Sequence, residues 1–472
     1  MSRRLLPLLL VAALAGCTVG PNYHRPEVKA APDWLEKGTP GPVDLMWWNR
    51  FGDPQLTALV NRALASSPDL AEARARLAEA RANREAVQGG RLPAVTARGS
   101  GTENVVSENG QIPVAKIPAF PRSFSLFDLG FDASWELDFW GRRTRQVEGA
   151  AAREEGALFA QRDVMLALIA EVARSYVDLR AAQADAAALE ATAAADTELA
   201  RLGALRLRAG EISQLDQDRI AATARASAAA IPDAKARAAA AAYRIAALVG
   251  APPEEIAPAL LARAPLPSAP DTILVGIRSE LLTRRPDVGR AERELAAATA
   301  DIGVAKADLF PRFSLLGSLG QQAQNPADLP STRSTRLQIG PSFSWPIFSG
   351  GTIRAQIRAA DARAQAAAAR YEKAVLGALA DSEAAINRFL NARDALAEAD
   401  ASYTSEQAAF TLAERRARAG EDDRLALVRA RQSLVAAGRR RDQAAAAQAQ
   451  AAVALYKSLG GGWTDSGSPI PK

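Results

Sequence analysis

The chain has 472 residues, enough for two or three ordinary domains; 48% of them are hydrophobic but only 6% are aromatic. Alanine dominates, which is typical of long helices rather than of a mixed globular core. The net charge of +5 is spread over charges of alternating sign, without the basic run of a nucleic-acid binder, so no nucleic-acid partner is predicted. One cysteine, Cys17, and one histidine, His24, exclude an intrachain disulfide, a metal site built from Cys and His, and a catalytic Cys–His pair.

The N-terminus has the pattern of a secretory signal. Arg3 and Arg4 precede an apolar run, and small residues then lead to Cys17. Leu14-Ala15-Gly16-Cys17 resembles the lipobox of bacterial lipoproteins, in which the cysteine is diacylated and becomes the mature N-terminus. An ordinary signal with a chance cysteine is the alternative. We predict a signal peptide at residues 1–16, lipidation at Cys17 and, because Thr18 rather than Asp follows it, sorting to the outer membrane.

The rest of the chain is an internal duplication. Pro68-Asp69 recurs as Pro286-Asp287, 218 positions later, whereas Arg208-Ala209-Gly210-Glu211 recurs as Arg418-Ala419-Gly420-Glu421, 210 positions later. The change of eight residues falls between the two strands of each copy, where a loop can absorb it. The predicted segments are an N-terminal extension at 17–60, a first repeat at 61–250, a Pro-rich linker at 251–278, a second repeat at 279–461 and a tail at 462–472.

Each repeat is predicted to run helix, strand, loop, strand, very long helix, tight turn, helix. The second strand of the first repeat alternates from Phe127 to Phe139, with aromatic and aliphatic residues on one face and polar ones, among them Asp128, Asp132 and Glu136, on the other. This pattern suits a membrane barrel with a wet lumen and equally a half-buried soluble sheet. The proline-containing loops at 103–125 and 321–335 favour membrane hairpins.

Two segments, from about Arg142 to Arg206 and from about Thr352 to Arg418, contain no proline and little glycine. Some 65 residues in a helix span about 97 Å, which suits a conduit across the periplasm better than a compact domain. The helices end at turns marked by Gly210-Glu211 and Gly420-Glu421, where glycine permits the positive φ of a helix reversal. Either these are plain helix caps, or they are tips that dock a partner.

Four strands cannot close a membrane barrel, because the smallest such barrels have about eight strands. No later stretch approaches the roughly 20 apolar residues of a spanning helix, so a crossing of the membrane requires a barrel. The chain is therefore predicted to oligomerise. Three copies would give twelve strands, although the strand count does not by itself choose three over two.

Several motifs together resemble the outer-membrane efflux proteins, the TolC-like channels, and within them the OprM-type lipoprotein branch called the NodT family. They span essentially the whole mature chain. They are Cys17-Thr18-Val19-Gly20-Pro21-Asn22-Tyr23, Trp47-Trp48-Asn49-Arg50-Phe51, Trp135-Glu136-Leu137-Asp138, Arg284-Arg285-Pro286-Asp287-Val288 and Leu459-Gly460-Gly461-Gly462-Trp463.

The resemblance implies an α+β membrane protein, a trimer with a shared twelve-stranded outer-membrane β-barrel, four strands per chain, and a long periplasmic α-helical barrel. The N-terminal extension would pack on the equatorial region between them, and the tips would dock a periplasmic adaptor joined to an inner-membrane pump. In such channels a Leu and an Asp that follow the second-repeat glycine narrow the closed tunnel. Here those positions hold Leu425 and, departing from the pattern, Arg429.

We therefore predict a passive exit duct for drugs or other small toxic compounds, anchored in the outer membrane and extending into the periplasm. Asp128, Asp132 and Glu136 are candidates for the barrel lumen. No catalytic residue, cofactor or metal ligand is predicted, since no acid, base or nucleophile constellation and no Walker-type phosphate loop is present. Export of metal ions or polypeptides, and a non-conducting structural lipoprotein, are the alternatives.

Overall fold

A computed structural model of the chain describes residues 18–27, 31, 33–36, 38–108 and 121–463. The signal segment and Cys17 lie outside the described residues. A 3₁₀ helix at Trp47–Phe51 comes first, and two more occur at Pro326–Asp328 and Thr332–Ser334. The helices and strands are α1 (Pro54–Ser66), α2 (Pro68–Gly89), β1 (Ala94–Val105), β2 (Ser123–Leu137), α3 (Arg142–Arg208), α4 (Gln214–Ala229), α5 (Ile231–Leu248), α6 (Pro253–Leu261), α7 (Arg278–Arg284), α8 (Pro286–Ala307), β3 (Arg312–Ala323), β4 (Thr335–Ser344), α9 (Thr352–Ala419) and α10 (Arg424–Ser458).

The described residues form two compact units. The sheet unit comprises residues 18–26, 78–108, 121–156 and 291–371, and the helical unit comprises all the other described residues. None of the helices in the described ranges is both long and apolar enough to cross a membrane.

The sheet unit contains one antiparallel sheet of four strands in the order β1-β2-β3-β4. Its register repeats with the duplication. The pair Ala94↔Ser134 of β1 and β2, moved by 218 and 210 positions, becomes Arg312↔Ser344, which is the observed pair of β3 and β4. The eight-residue difference therefore lies in the loops, as the sequence predicts.

The long helices also agree with the sequence. α3 has 67 residues and α9 has 68, both free of proline, and Leu168, Val172 and Leu179 of α3 are buried. The helix that follows α3 is split at Ala230 into α4 and α5, whereas its counterpart α10 is continuous. Pro232 explains the break, because it lacks the N–H that would bond one turn back.

The helical unit has an aromatic centre. Trp47, Trp48 and Phe51 are almost completely buried, the Trp47 ring stacks on Tyr456 at 5.1 Å, and its Nε1 donates to the Gly461 carbonyl. These three residues are packing anchors.

The predicted linker contains a helix, α6, which begins at prolines that suit a first turn. The buried Arg180 of α3 donates to the carbonyls of Leu260 and Ala262 at the end of α6 and so fixes this segment to the unit.

Candidate functional site

The polar face of the sheet carries paired charges. Arg336 of β4 donates two N–H bonds of 2.9 and 2.7 Å to the Asp128 carboxylate of β2, and Gln322 of β3 donates a third of 2.9 Å. Asp132 pairs with Arg98 of β1 at 3.3 Å. Two predicted lumen residues therefore lie on one face, each beside a guanidinium.

Glu136 lies on the same face at the end of β2. Its carboxylate binds the first residues of α3, with Arg142 at 3.4 Å and Arg143 at 2.7 Å. Asp138, two residues on, accepts from the backbone N–H groups of Arg143 and Thr144 and caps that helix. Glu136 thus ties the end of β2 to the start of α3 as well as contributing charge to the polar face.

Two glycines make the ion pair across β3 possible. Arg98, Gly130, Gly320 and Arg336 form one row of the four strands. A Cβ on Gly320 would come within 2.7 Å of the Leu129 carbonyl oxygen, and one on Gly130 within 2.6 Å of the Leu319 oxygen. The strands therefore approach closely here, and Arg336 extends over a position that has no side chain.

The opposite face of the sheet is apolar and exposed in the single chain. Phe131, Leu319, Ile339 and Phe343 are each more than half exposed. Trp135 and its duplicate Trp345 lie at one end of this face. Their Nε1 atoms donate to the carbonyls of Arg91 and Leu309 at 2.9 and 3.0 Å. β2 ends at Leu137, so Phe139, predicted to continue the strand face, instead packs edge-on against Phe313.

The turns at Gly210 and Gly420 have the same structure. Both glycines have positive φ, +77° and +75°. In each turn the glycine N–H bonds the carbonyl three residues back, and the next N–H, of Glu211 or Glu421, bonds the carbonyl five residues back, which is the Schellman motif. Each turn is therefore a regular helix cap. The same cap ends both long helices, and this recurrence supports the prediction that the turns are tips.

The charges of the two turns also match. Glu211 pairs with Arg206 at 3.0 Å, and Glu421 pairs with the duplicate arginine, Arg416, at 3.7 Å. The next residues begin the following helices: Ser213 forms a capping box with Asp216, and Asp423 accepts from the Ala426 N–H at 2.7 Å.

Leu425 and Arg429 lie on the first turns of α10. Leu425 is partly buried and Arg429 is exposed, and within the described part of the chain no carboxylate pairs with Arg429. Of the nearby acidic residues, Asp422 binds Arg416 at 3.0 Å and Asp423 caps α10. The duplication places Leu215 and Arg219 at the matching positions of α4.

A polar contact beside these positions was not predicted from the sequence. Glu198 of α3 accepts from Arg424, the first residue of α10, at 2.8 Å, and also from Arg201. The hydrogen bond from Arg201, with Arg424 adding to it, lowers the pKa of Glu198 to about 2. This carboxylate therefore stays charged and joins α3 to the residue that follows the second-repeat turn.

Two further carboxylates of α3 hold the neighbouring helices. Asp185 accepts from Arg237 of α5 at 2.7 Å and from Arg439 of α10 at 2.6 Å. Burial raises the pKa of Asp185, but the two guanidinium hydrogen bonds outweigh burial and lower it. Asp196 accepts from Gln432 of α10 and from Ser227 of α4.

The residues after Cys17 are held against the sheet unit. The N–H of Val19 donates to the Trp140 carbonyl at 3.1 Å. The buried Arg145 donates to the carbonyls of Val19 and Gly20 and to the Asn22 side chain at 2.7 Å. We call residues 18–23 the N-terminal strap. It ends at Tyr23, whose hydroxyl donates to Glu292.

Among the residues that the structure describes, no group of three or more His, Cys, Asp or Glu side chains is arranged to hold a metal ion.

A four-stranded sheet with one apolar and one polar face, joined in sequence to helices of nearly 70 residues, defines a TolC-like outer-membrane channel subunit. The chain matches the sequence model described as "Outer membrane efflux protein" over residues 59–251 and 277–461, and it belongs to that family.

Relatives and solved structures agree with this assignment. The chain is 31% identical over 470 residues to the pyoverdine export outer membrane protein OpmQ of Pseudomonas aeruginosa, covering 98% of each chain. It is 29% identical over 493 residues to the toluene efflux pump outer membrane protein TtgI of Pseudomonas putida, covering 99% of this chain and all of the relative. The solved structure of the outer-membrane channel OprN is 37% identical, with a TM-score of 0.84 over 95% of this chain and 100% of that one.

Proposed function

We propose that three copies of this chain form a passive exit duct for small organic molecules, the outer-membrane component of a tripartite efflux system. The observation that carries the proposal is the two-faced sheet with two free edges. Its apolar face is exposed in the single chain, its polar face carries Asp128 and Asp132, and β1 and β4 have no partner strand on their outer sides in the described residues. A closed twelve-stranded sheet would place the apolar face against lipid and the polar face in water.

The proposed substrate class is small organic compounds. The relatives OpmQ and TtgI are described as export proteins for pyoverdine and toluene. The polar face of the sheet pairs Asp128 and Asp132 with guanidinium groups rather than presenting unpaired carboxylates to a cation. Such a lining favours a general duct whose selectivity is set by the pump that feeds it.

We propose that the Gly210 and Gly420 turns are the tips that dock a periplasmic adaptor. Their shared backbone structure and matching Arg206–Glu211 and Arg416–Glu421 pairs give two similar surfaces on one chain. A partner that repeats around the trimer could bind both with the same residues. An inner-membrane pump joined to that adaptor would supply the energy, so the duct needs no nucleotide site of its own.

Leu425 and Arg429 are proposed to narrow the periplasmic entrance, with Glu198–Arg424 holding the start of α10 in place. Three leucines near one axis would form an apolar constriction that a hydrated ion crosses only by losing part of its shell. The resting conductance of the duct should accordingly be low.

We propose lipid anchoring at Cys17. The support from the described residues is the N-terminal strap, which begins at Thr18 and lies over Gly141, the last residue before α3. An acyl chain on the preceding residue would lie beside the end of the sheet, where outer-membrane lipid is expected.

Single-channel recording in planar bilayers tests the duct. The purified protein should produce discrete ion-conducting steps, whereas a structural lipoprotein would produce none, and complete absence of steps would overturn the proposal.

A deletion strain tests the substrate class. It should become sensitive to organic solvents and antibiotics, and the wild-type gene should restore resistance. Sensitivity to metal ions alone, or loss of a secreted polypeptide, would replace small organic compounds by those cargoes.

A further inference from the structure

The two edges of the sheet, β1 and β4, carry enough information to define how one copy of the chain pairs with the next. Both edge strands are long, 12 and 10 residues, and their outward side chains are exposed: Val95 and Val105 on β1, Leu337 and Ile339 on β4. Free strand edges of this length pair with another strand unless charge or a covering segment prevents it. Since the strands alternate in direction, β4 of one copy would meet β1 of another in the antiparallel sense.

The duplication gives the register of that pairing. Moving residues of the first repeat by 218 positions before the loop and by 210 after it converts the β1–β2 pairing into the observed β3–β4 pairing, from Ala94↔Ser134 to Arg312↔Ser344 and from Glu103↔Ser125 to Gln321↔Thr335. The remaining internal pair is β2 with β3. Adding 210 to a residue number of β2 gives its duplicate in β4 of one copy. Subtracting 218 from a residue number of β3 gives its duplicate in β1 of the next copy.

We infer that β4 of one copy pairs with β1 of a second copy in the register that places Ser342 opposite Ser100. This inference rests on the proposed trimeric channel and adds the residue-by-residue contact. The internal pair Asp132↔Ser318 becomes Ser342↔Ser100, and Phe127↔Ala323 becomes Leu337↔Val105. At the other end of β4, Ser134↔Leu316 becomes Ser344↔Arg98.

The register brings matching side chains together on the polar face, where it pairs Gln338 with Asn104 and Gly340 with Thr102. On the other face, Phe343 lies opposite Gly99 and Pro341 lies opposite Gly101, so both meet a residue without a side chain. Nearer the loops, Ile339 lies opposite Glu103. A slip by one residue would place every polar residue of one strand opposite an apolar residue of the other and is excluded by the two-faced pattern.

A slip by two residues would preserve the faces, so only the duplication decides between it and the inferred register.

Disulfide trapping in outer-membrane vesicles of cells that make the full chain tests the register. Directly opposite residues have Cβ atoms about 4.5–5.5 Å apart and diagonal ones lie about 7–8 Å apart, whereas a disulfide needs about 3.5–4.5 Å. The double variant Ser342→Cys/Ser100→Cys should give reducible dimers and trimers on denaturing gels. The variants Ser342→Cys/Thr102→Cys and Ser342→Cys/Arg98→Cys, displaced by two residues each way, should give at least about tenfold less.

The internal variant Asp132→Cys/Ser318→Cys is the matched control, because its pair is the duplicate of the one under test; it should close within one chain. A second pair, Gln338→Cys/Asn104→Cys, guards against a local defect in the first. If a displaced pair traps more product than both inferred pairs, the register is wrong. If trimers form, as judged by an amine-reactive cross-linker, and neither inferred pair is trapped although the control closes, the register is also wrong while the duct proposal stands. Absence of trimers in the parent protein would instead overturn the duct proposal.

Discussion

Arg336 and Asp128 are joined across an intervening strand. They lie on β4 and β2, and the guanidinium reaches the carboxylate over Gly320 of β3, with N–H···O distances of 2.7 and 2.9 Å. The contact is possible because Gly320, which lies on β3 opposite Arg336, has no side chain in the way. The glycine therefore controls both the spacing of β2 and β3 and the charge pairing of the polar face.

Substitution of that glycine should weaken the assembled channel. A valine at Gly320 would meet the Leu129 carbonyl oxygen at 2.7 Å and the Gly130 Cα at 2.9 Å, and overpacking of this kind costs typically about 1–3 kcal/mol. We expect Gly320→Val to lower the temperature at which trimers dissociate in detergent. Gly317→Ala is the control, because its Cβ would meet only the Ala133 Cβ at an ordinary 3.7 Å. Equal dissociation temperatures for both variants would contradict the close approach of the strands.

Two adjacent leucines of β3 test which face of the sheet meets lipid. Leu315 lies on the apolar face between Trp135 and Pro341, and Leu316 lies on the polar face between Ser134 and Gly340. An arginine facing lipid costs about 2–4 kcal/mol at the bilayer midplane and about 0–1 near its surfaces. We expect Leu315→Arg to reduce the yield of protein folded in the outer membrane and Leu316→Arg to leave it near that of the wild type. The two variants differ by one position in depth and share their chemistry. The opposite order of yields would mean that the lumen and lipid faces are exchanged.

Glu198 tests the contact between α3 and the start of α10. Glu198→Gln removes the charge that accepts from Arg424, and we expect it to raise the open probability in planar bilayers. Glu190→Gln is the control, because Glu190 lies on the same helix but binds Lys235 and Arg263 instead of α10. An unchanged open probability in Glu198→Gln would mean that this contact does not help to keep the periplasmic entrance narrow.

The same contact has a defined pH dependence. The pKa of Glu198 is lowered to about 2, mainly by Arg201, so the stabilisation that its charge provides is complete above the ordinary carboxylate pKa of about 4.5 and is lost as the pH falls towards 2. Conductance that depends on Glu198 should therefore be constant from pH 7 to about pH 5. A wild-type channel that opens near pH 6 would owe that opening to another group.

Lipidation at Cys17 is tested by metabolic labelling. Radiolabelled palmitate should enter the wild-type protein and not Cys17→Ser. Equal labelling of both would refute acylation at this residue.

Arg145→Ala provides a related test of the N-terminal strap, because it removes the donors to Val19, Gly20 and Asn22 but leaves the lipobox unchanged. We expect this variant to be labelled normally, while its strap becomes sensitive to added protease.

Local sequence patterns predicted the elements of this fold but not the polar contacts between them. Proline-free stretches gave α3 and α9 to within about two residues at their ends, and alternation gave β2, because both patterns depend only on neighbours along the chain. Which carboxylate of α3 meets which residue of α10 depends on the rotation and offset of two helices. Glu198 and Asp185 were therefore missed. Leu316 likewise lies on the polar face because of the strand register, which its own apolar side chain does not reveal.

The helix break at Ala230 and the helix α6 show a different limit. Both arise at prolines, which begin a helix as readily as they end one, so that composition alone indicated a continuous helix in one case and a linker in the other. The internal duplication was more informative than either pattern, because its two offsets reproduce the pairing of β3 with β4 from that of β1 with β2.

The duplication supplies matched control positions for Leu425 and Arg429. Leu425 is partly buried, whereas its duplicate Leu215 is 59% exposed, so the two leucines differ in surroundings but not in distance from a turn glycine. We expect Leu425→Ala to raise the single-channel conductance or the open probability, because it widens an apolar constriction, and Leu215→Ala to change neither. Equal effects of the two variants would argue against a constriction specific to the second repeat.

Arg429 supplies the charge counterpart of that test. It is exposed and has no carboxylate partner in the described part of the chain, so three copies near one axis would present an uncompensated positive ring. Arg429→Asp should shift the selectivity towards cations, and the shift should shrink between 0.1 M and 1 M salt, where the screening length falls from about 10 Å to about 3 Å. Arg219→Asp makes the same change of charge at the duplicate position in α4 and should leave the selectivity as it is. A shift of equal size in both variants would mean that the field of the whole tip, rather than a ring at Arg429, sets the selectivity; no shift in either would place both arginines outside the conducting path.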